Sequence, residues 1–282
     1  MAYHDPVTQS RGRRRKALGQ HWLVDRRVLG RIARAADITP EDTVIEVGAG
    51  TGLLTALLAQ RAARLIAVEV DPELAAALRE RFRDREHVHV LEANVLSVAP
   101  EELLARGGGG LPYVVVGNLP YFIGSAIVRH FLAARAQPRR LLVTLQAEVA
   151  RNVAAAPGDM TFLSAEVQYY AEPRLLFEVP PSAFRPPPKV RSAVLRLDTR
   201  DGTAVEVDDR EAFFRLVQAG FAARRKQLRN ALAIGLGCGP VEAEALLLEA
   251  GLDANRRAQT LTLQEWAALY RAYRGTASGV SR

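Results

Sequence analysis

The segment spanning residues 44–52 constrains the fold more than any other part of the sequence. It starts as an apolar strand, predicted over residues 43–47, and runs directly into a turn with glycines at positions 48, 50 and 52. A helix is predicted over residues 53–61. Glycine lets the backbone turn sharply and lets a ligand approach the main chain closely. Position 53 is Leu, so the Gly-x-Gly-x-x-Gly pattern of dinucleotide-binding proteins is broken, which argues against an NAD enzyme.

Strands and helices alternate along the chain to about residue 155. Asp25 is a predicted N-cap of a helix that continues to about residue 36. Beyond the glycine turn, strands are predicted over residues 64–70, 88–92, 113–117 and 140–145, and helices over residues 72–82 and 125–134. Four glycines at 107–110 are expected to form a flexible connection. This alternation predicts an α/β fold with a doubly wound, mainly parallel sheet.

The pattern changes in the second half of the chain. Residues 165–170, 174–179 and 190–197 are strand-like, and a Pro-rich loop at 180–188 separates the last two. From about Asp208 only helical periodicity remains. We therefore expect a flexible basic arm at residues 1–16, a sheet domain at 17–200 and a helical domain at 208–282. The boundary is placed near residues 198–208, where charged and turn residues cluster.

The charge of the chain points to a polyanionic partner. Its 282 residues carry a formal net charge of +7, and basic residues cluster at 11–16 and again at Arg224, Arg225, Lys226 and Arg229. Nucleic acid or an anionic membrane surface would suit such clusters. A generally Arg-rich proteome and a solvated helix face are the alternatives.

Other classes of protein are disfavoured by what the sequence lacks. No apolar run reaches the length of a membrane span, and the N-terminus has no apolar stretch typical of a signal peptide. Cys238 is the single cysteine and the histidines show no metal-ligand spacing, so neither a disulfide framework nor a metal site is expected. These features favour a cytoplasmic protein.

Polar side chains are predicted at the carboxyl ends of two strands near the glycine turn. Glu69 ends the strand after the turn, 21 residues beyond Gly48. A carboxylate at that place typically accepts hydrogen bonds from ribose hydroxyls, so the turn and Glu69 together indicate a nucleoside-containing cofactor. Asn94 follows the next strand and could contact an adenine ring, or could simply belong to a turn.

The stretch Asn118-Leu119-Pro120-Tyr121 follows an apolar strand and suits a planar target that bears an amino group. Asn supplies a carbonyl acceptor, a prolyl turn can hold a backbone carbonyl in place, and Tyr offers a stacking face. Asn and Pro are also common in ordinary turns, so the stretch gains weight from its neighbours.

Taken in order, these motifs resemble those of class I S-adenosylmethionine methyltransferases that act on exocyclic amines. More closely, the chain resembles the KsgA family of ribosomal RNA adenine N6,N6-dimethyltransferases. Besides the glycine turn, the matching stretches are KALGQHWL at 16–23, QYY at 168–170, VPPSAFRPPPKVRSAV at 179–194, FAARRKQLRN at 221–230 and RAQT at 257–260. The long Pro-rich match is far more specific than the glycine turn.

The resemblance implies a Rossmann-like sheet with an antiparallel strand at its end, and a small all-α C-terminal domain that docks on RNA. It implies S-adenosylmethionine as cofactor, bound by His21, Leu23, Gly48, Gly50, Glu69, Asn94 and Asn118. The Asn118 side chain and the backbone carbonyl of Leu119 or Pro120 would hold the target amine, and Tyr121 and Phe184 would stack on the extruded adenine. The expected partner of this monomer is small-subunit ribosomal RNA or the assembling 30S subunit.

The chain departs from the family pattern at three places. Asn94 stands where Asp is usual, which removes a charge-assisted hydrogen bond. Phe122-Ile123-Gly124 replaces Asn-Ile-Ser, so Phe122 either adds apolar surface to the pocket or packs beneath it. Trp22 stands where Phe is usual.

Three functions follow as hypotheses. The first is dimethylation of two adjacent adenosines in a hairpin near the 3′ end of small-subunit ribosomal RNA. The second is methylation of large-subunit RNA, as in macrolide-resistance enzymes. The third is a ribosome-assembly or transcription factor that binds nucleic acid on the same fold without catalysis.

Overall fold

The structure, a computed structural model, describes residues 21–279, and side chains as far as residue 275. The predicted basic arm at 1–16 and the first five residues of the 16–23 motif lie outside the described residues. The chain divides into two compact units. The first comprises the described residues up to 150 together with 174–199, and the second comprises 151–173 together with 200–279.

The first unit is built on one large sheet. Its strands are β2 (Thr43–Val47), β3 (Arg64–Glu69), β4 (Val88–Glu92), β5 (Tyr113–Asn118), β6 (Arg140–Gln146), β7 (Ala171–Val179) and β9 (Ser192–Thr199), in the order β4-β3-β2-β5-β6-β9-β7. Strands β4, β3, β2, β5 and β6 are mutually parallel, and β9 runs antiparallel to β6. The expected α/β fold with an antiparallel strand at the end of the sheet is confirmed.

The helices of this unit are α1 (Arg26–Ala35), α2 (Leu53–Leu58), α3 (Pro72–Arg81), α4 (Pro100–Arg106), α5 (Gly124–Leu132) and α6 (Ala147–Val153), which extends past its border. Asp25 caps α1 as predicted, because its carboxylate accepts from the Arg27 and Val28 N–H groups. The central strands β2, β5 and β6 are buried along nearly their whole length, which explains their unbroken apolar sequences.

A short second ladder lies beside the sheet. Strand β1 (Trp22–Leu23) pairs antiparallel with β8 (Phe184–Arg185), so that Leu23 is opposite Phe184. The Val24 N–H also donates to the Ala183 carbonyl at 2.9 Å. The Pro-rich loop is thereby joined to the segment that enters α1.

The second unit is helical. It contains α7 (Phe162–Tyr170), α8 (Arg210–Gly220), α9 (Leu228–Leu236), α10 (Pro240–Glu249) and α11 (Leu263–Gly279). Within the described range no single helix is long and apolar enough to cross a membrane. One pair, α9 with α10, bent by 115°, meets that test of length and composition only when both helices are counted together.

The strand expected at residues 165–170 is wrong, because this segment belongs to helix α7. Thr161 and Ser164 form a capping box at the start of that helix. Tyr169 then packs against Phe213 and Phe214 of α8, with ring centroids 5.8 and 5.2 Å apart. These contacts group residues 151–173 with the C-terminal helices, whereas the sequence placed them in the domain at 17–200.

Candidate active site

A solvent-accessible cleft of about 840 Å³ lies at the carboxyl ends of the parallel strands in the first unit. Ligands bind at this edge of open α/β sheets. The lining includes every site residue predicted from the first half of the chain except Leu23. It comprises His21, Trp22, Val47, Gly48, Gly50, Val68, Glu69, Val70, Ala93, Asn94, Val95, Asn118, Leu119, Pro120, Tyr121, Phe122, Ile123 and Ile127.

The glycine turn between β2 and α2 requires glycine at three positions. Gly48, Gly50 and Gly52 have φ angles of 71°, 56° and 75°, in the left-handed region that side chains disfavour. At Gly52 a Cβ atom would also lie 2.8 Å from Cδ2 of Leu78. The turn therefore exposes bare backbone to the cleft, as the sequence predicted.

Glu69 holds the glycine turn against the end of the next strand. Its Oε2 accepts from the Gly50 N–H at 2.8 Å, and its Oε1 accepts from the N–H groups of Val70 and Asp71 at 2.9 and 3.0 Å. The side chain is buried, yet it lines the cleft. Three backbone donors thus fix the carboxylate, and each oxygen retains lone-pair capacity for a ligand hydroxyl.

Asn118 ends β5 with its carboxamide in a defined orientation. Its Nδ2 donates to the backbone carbonyl of His21 at 2.9 Å. Its Oδ1 is buried and has no hydrogen-bond partner among the described residues. A buried acceptor without a partner costs about 1–3 kcal/mol, so the oxygen is available to accept from a ligand that bears an N–H group.

The turn after Asn118 leaves a second acceptor available. The Pro120 carbonyl accepts from the Ile123 N–H at 3.2 Å, and the Leu119 N–H donates to the Thr144 carbonyl at 3.2 Å. No backbone donor within residues 21–279 reaches the Leu119 carbonyl. Of the two carbonyls predicted to hold an amine, that of Leu119 is therefore the freer one.

Tyr121 is held from two sides. Its hydroxyl is 2.6 Å from Oγ of Ser192, and its ring centroid is 5.7 Å from that of His21. Burial raises the pKa of the Tyr121 phenol, which therefore stays protonated, while the Ser192 contact partly offsets that rise. His21 in turn donates from Nδ1 to the Pro186 carbonyl at 2.8 Å. Ser192, which is fully buried at the start of β9, was not singled out from the sequence.

Two predicted site residues are placed differently from the expectation. Phe184 is 0% exposed and packs in the hydrophobic core of the first unit, so its ring cannot meet a base in this conformation. Leu23 is opposite it in the ladder and lines a smaller cavity that adjoins the cleft, since the two share Trp22, Gly48, Gly50 and Asn118. Both side chains belong to the hydrophobic core of the first unit, whereas Trp22 and Arg185, which pair in the same ladder, are partly buried and exposed.

Glu46 is a further acidic residue that the sequence reading missed. It lies in β2, is 2% exposed, and borders the smaller cavity. Burial raises its pKa to about 8, with the Glu69 charge adding to the rise. Its Oε2 has no partner among residues 21–275. The sequence signal was a carboxylate inside an otherwise apolar strand.

Asn94 and Phe122, two departures from the family pattern, both line the cleft. Asn94 is exposed, and its Oδ1 accepts from the Leu96 N–H at 3.1 Å to cap a short 3₁₀ turn. Its Nδ2 group supplies a donor where a carboxylate would supply only acceptors. Phe122 is 63% exposed, which excludes packing beneath the pocket.

The predicted RNA-binding residues lie in the second unit, around the start of α9. Arg224, Arg225 and Lys226 are exposed. Arg229 is partly buried and pairs with Glu244 at 3.5 Å. Three of the four cations are thus open to solvent.

The chain is similar to known ribosomal RNA methyltransferases along nearly its whole length. The model of the ribosomal RNA adenine dimethylase family matches residues 11–273. A protein from Dehalococcoides mccartyi is 45% identical over 261 residues, 93% of this chain and 89% of its own. One from Moorella thermoacetica is 43% identical over 264 residues, 91% of each chain. Both relatives are named ribosomal RNA small subunit methyltransferase A.

Solved structures give the same fold. The 23S rRNA methyltransferase ErmE is 29% identical, with a TM-score of 0.69 over 89% of this chain and 98% of that one. A dimethyladenosine transferase from Plasmodium falciparum, at 20% identity, has a TM-score of 0.76 over 91% of this chain and 98% of its own. The chain therefore belongs to the ribosomal RNA adenine dimethylase family.

Proposed function

We propose that this protein catalyses the S-adenosylmethionine-dependent N6,N6-dimethylation of two adjacent adenosines in a hairpin near the 3′ end of small-subunit ribosomal RNA, as a step of ribosome biogenesis. The observation that carries the proposal is the buried Oδ1 of Asn118, which lacks a partner in a cleft bounded by the glycine turn and Glu69. An exocyclic amine supplies the missing donor.

The residues present fit S-adenosylmethionine. Gly48 and Gly50 offer backbone without side chains, Glu69 retains acceptor capacity for ribose hydroxyls, and Asn94 offers a donor to a purine ring. When bound, the cofactor supplies a sulfonium methyl group, whose carbon–sulfur bond breaks as the N6–carbon bond forms, with one N6 proton released to water. His21 lines the same cleft beside Asn118 and completes the predicted set, apart from Leu23.

Asn118 and Leu119 would activate the adenine N6 amine by holding it in a fixed orientation. The lone pair of adenine N6 is delocalised into the ring, which makes it a poor nucleophile. In the first transfer both N6–H groups would donate, one to Asn118 Oδ1 and one to the Leu119 carbonyl, and in the second transfer the one remaining N6–H would donate to either acceptor. The nitrogen would thereby be held in a more tetrahedral geometry with its lone pair free. Fixed acceptors of this kind lower the barrier through orientation and electrostatics, so no dedicated base is required.

Tyr121 would hold the target base. A base inside a duplex cannot reach the cleft, so the adenosine must be flipped out or already unpaired. Tyr121 presents an aromatic face next to Asn118, steadied by Ser192 and His21. The stacking role predicted for Phe184 would require its ring to leave the core.

The second unit would dock on RNA through Arg224, Arg225, Lys226 and Arg229. We propose that the protein works as a cytoplasmic monomer on the assembling 30S subunit. Methylation of large-subunit RNA, the activity in the name of ErmE, is the alternative, at only 29% identity. The 45% identity across 93% of the chain to a small-subunit enzyme supports the first function more strongly. A non-catalytic role would leave the intact Asn118 site unexplained.

The test is transfer of radiolabelled methyl groups from S-adenosylmethionine to small subunits that lack the modification. We expect N6,N6-dimethyladenosine in small-subunit RNA with the wild-type protein and none with Asn118→Ala. Label in large-subunit RNA alone, in a parallel reaction, would support the second candidate. Tight subunit binding without transfer to either RNA would make the protein an assembly factor.

A further inference from the structure

Phe122 is the most exposed large apolar residue of the cleft. It is 63% exposed, whereas Leu119 is 1% exposed. It follows Tyr121 directly and lines the same cleft. An aromatic ring so open to water at the mouth of a binding site gains from any ligand that covers it.

The backbone around Phe122 is fixed, so its exposure does not come from a loose loop. On one side Leu119 is buried, and the turn is closed by the Ile123 N–H bond to the Pro120 carbonyl. On the other side Gly124 starts α5 in close contact with β6, since a Cβ there would lie 2.5 Å from Cδ2 of Leu145. The turn therefore presents the ring at a defined place beside Tyr121.

The geometry points to a base-stacking site for the nucleotide next to the target, and we propose that Phe122 stacks on that unpaired base. Resting on the proposed function, this assigns a second RNA contact to the same cleft. Asn118 and Tyr121 account for the target adenosine, and extruding it exposes a face of its neighbour. Base–aromatic stacking replaces the lost base–base contact without reading sequence.

The first experiment measures methyl transfer to unmodified small subunits by Phe122→Ala, Phe122→Leu and Phe122→Tyr. Loss of one stacked base predicts a rise in KM for the subunit of about 5- to 150-fold in Phe122→Ala. We expect kcat to change far less, and the Kd for S-adenosylmethionine, from equilibrium dialysis, to stay at the wild-type value. Phe122→Tyr should retain the wild-type KM, and Phe122→Leu should lose most of the contact because it lacks a ring.

Leu111→Ala is the matched control. Leu111 is 66% exposed in the same unit but does not line the cleft, so its removal should leave KM unchanged. Wild-type KM values in both Phe122→Ala and Phe122→Leu would overturn the proposal. A loss of S-adenosylmethionine affinity equal to the rise in KM would also overturn it, since the ring would then belong to the cofactor subsite.

A binding measurement separates this proposal from the proposed function. The probe is a hairpin of the small-subunit RNA, intact or with an abasic residue on one side of the target adenosine. With the wild-type protein, one of the two abasic positions should weaken binding. With Phe122→Ala, the same abasic position should cause no further loss of RNA affinity. Equal losses in both proteins would reject the stacking site, whether or not the wild type transfers methyl groups.

Discussion

The hydroxyl contact behind Tyr121 is the residue-scale feature most open to a direct test. Ser192 is fully buried and its Oγ is 2.6 Å from the Tyr121 hydroxyl, so the two groups orient the ring from behind. Removing either hydroxyl should free the ring while preserving its apolar face.

We expect Ser192→Ala and Tyr121→Phe each to lower kcat/KM by roughly threefold to tenfold, the equivalent of one hydrogen bond. The double variant should show no further loss, because both changes remove the same contact. Steady-state kinetics on unmodified small subunits would measure this. Additive losses, or a fall in Tm that parallels the loss of activity, would show that Ser192 acts on the fold instead.

Glu46 gives a prediction for pH. The buried carboxyl has its folded pKa raised from 4.5 to about 8, so its contribution to stability is full below pH 4.5 and is lost as the pH rises towards 8. Glu46→Gln stays neutral throughout. The variant should therefore gain stability over the wild type across this window, by on the order of a few kcal/mol at its upper end.

Thermal unfolding of Glu46→Gln and wild type between pH 5 and 8 would measure this difference. The other titrating groups are the same in both proteins, so their contributions cancel in the difference in Tm. A gap in Tm that does not change with pH would mean that Glu46 is already ionised at pH 5.

At the scale of elements, an ion pair joins the amino ends of β2 and β6. Asp42, which precedes β2, is 0% exposed and accepts from the Arg139 guanidinium, which precedes β6. Desolvation opposes the ionised form of Asp42, but the hydrogen bonds and charge of Arg139 together with the hydrogen bonds from Thr39 outweigh it and lower the carboxyl pKa. This pair lies at the opposite end of the strands from the cleft.

Arg139→Ala should lower the free energy of unfolding by about 3 kcal/mol, because a buried carboxylate loses its charged partner and keeps only the Thr39 N–H. Denaturant unfolding at neutral pH would give this value. The kcat measured well below the Tm should stay near that of the wild type. Asp42→Asn in the Arg139→Ala background should recover part of the loss, and its failure to do so would assign the loss to packing.

The elements themselves were largely predictable from the sequence. The predicted strands of the sheet lie within three residues of the observed ones, because long apolar runs leave few alternatives. The start of α1 was equally well specified by its N-cap, Asp25. Helix α7 was missed because its β-branched and aromatic residues fit a strand equally well until the aromatic contacts to α8 are known. The four glycines at 107–110 predict a flexible connection, but a Cβ at Gly107 would lie 2.4 Å from Cδ1 of Ile66, so this glycine is needed for close packing.

The site was predictable in part. Strand-end residues such as Glu69 and Asn118 are specified by sequence position, because parallel strands end at the same edge. The orientation of the Asn118 amide depends on the His21 carbonyl, 97 residues away, which no local pattern encodes. For the same reason the burial of Phe184 and the Tyr121–Ser192 contact could not be foreseen.

At the scale of the whole molecule, the second unit predicts the salt dependence of RNA binding. Arg224, Arg225 and Lys226 are exposed, so each can neutralise a phosphate and release a counterion. Replacing all three by Ala should reduce the slope of log K against log salt by about 2. Arg229 should contribute less, because Glu244 already pairs with it.

Binding of the small subunit across a range of salt concentrations would measure this slope. The control is Arg83→Ala with Arg85→Ala, which removes exposed cations from the first unit. An unchanged slope in the triple variant would mean that those three cations form a solvated face and do not contact RNA.

The cleft also sets the order in which a growing chain can become active. Hydrogen bonds join His21 to Asn118 and Pro186, and Tyr121 to Ser192, and the rings of His21 and Tyr121 are in contact. The site thus brings together residues separated by up to 165 positions. Pairing over such distances is slow and comes after local structure. A nascent chain that has emerged as far as β6 can form most of the parallel sheet, but it lacks the Pro-rich loop and β9. The nascent chain should therefore be able to bind a ligand in the cleft only after Ser192 has left the exit tunnel of the ribosome that synthesises the chain.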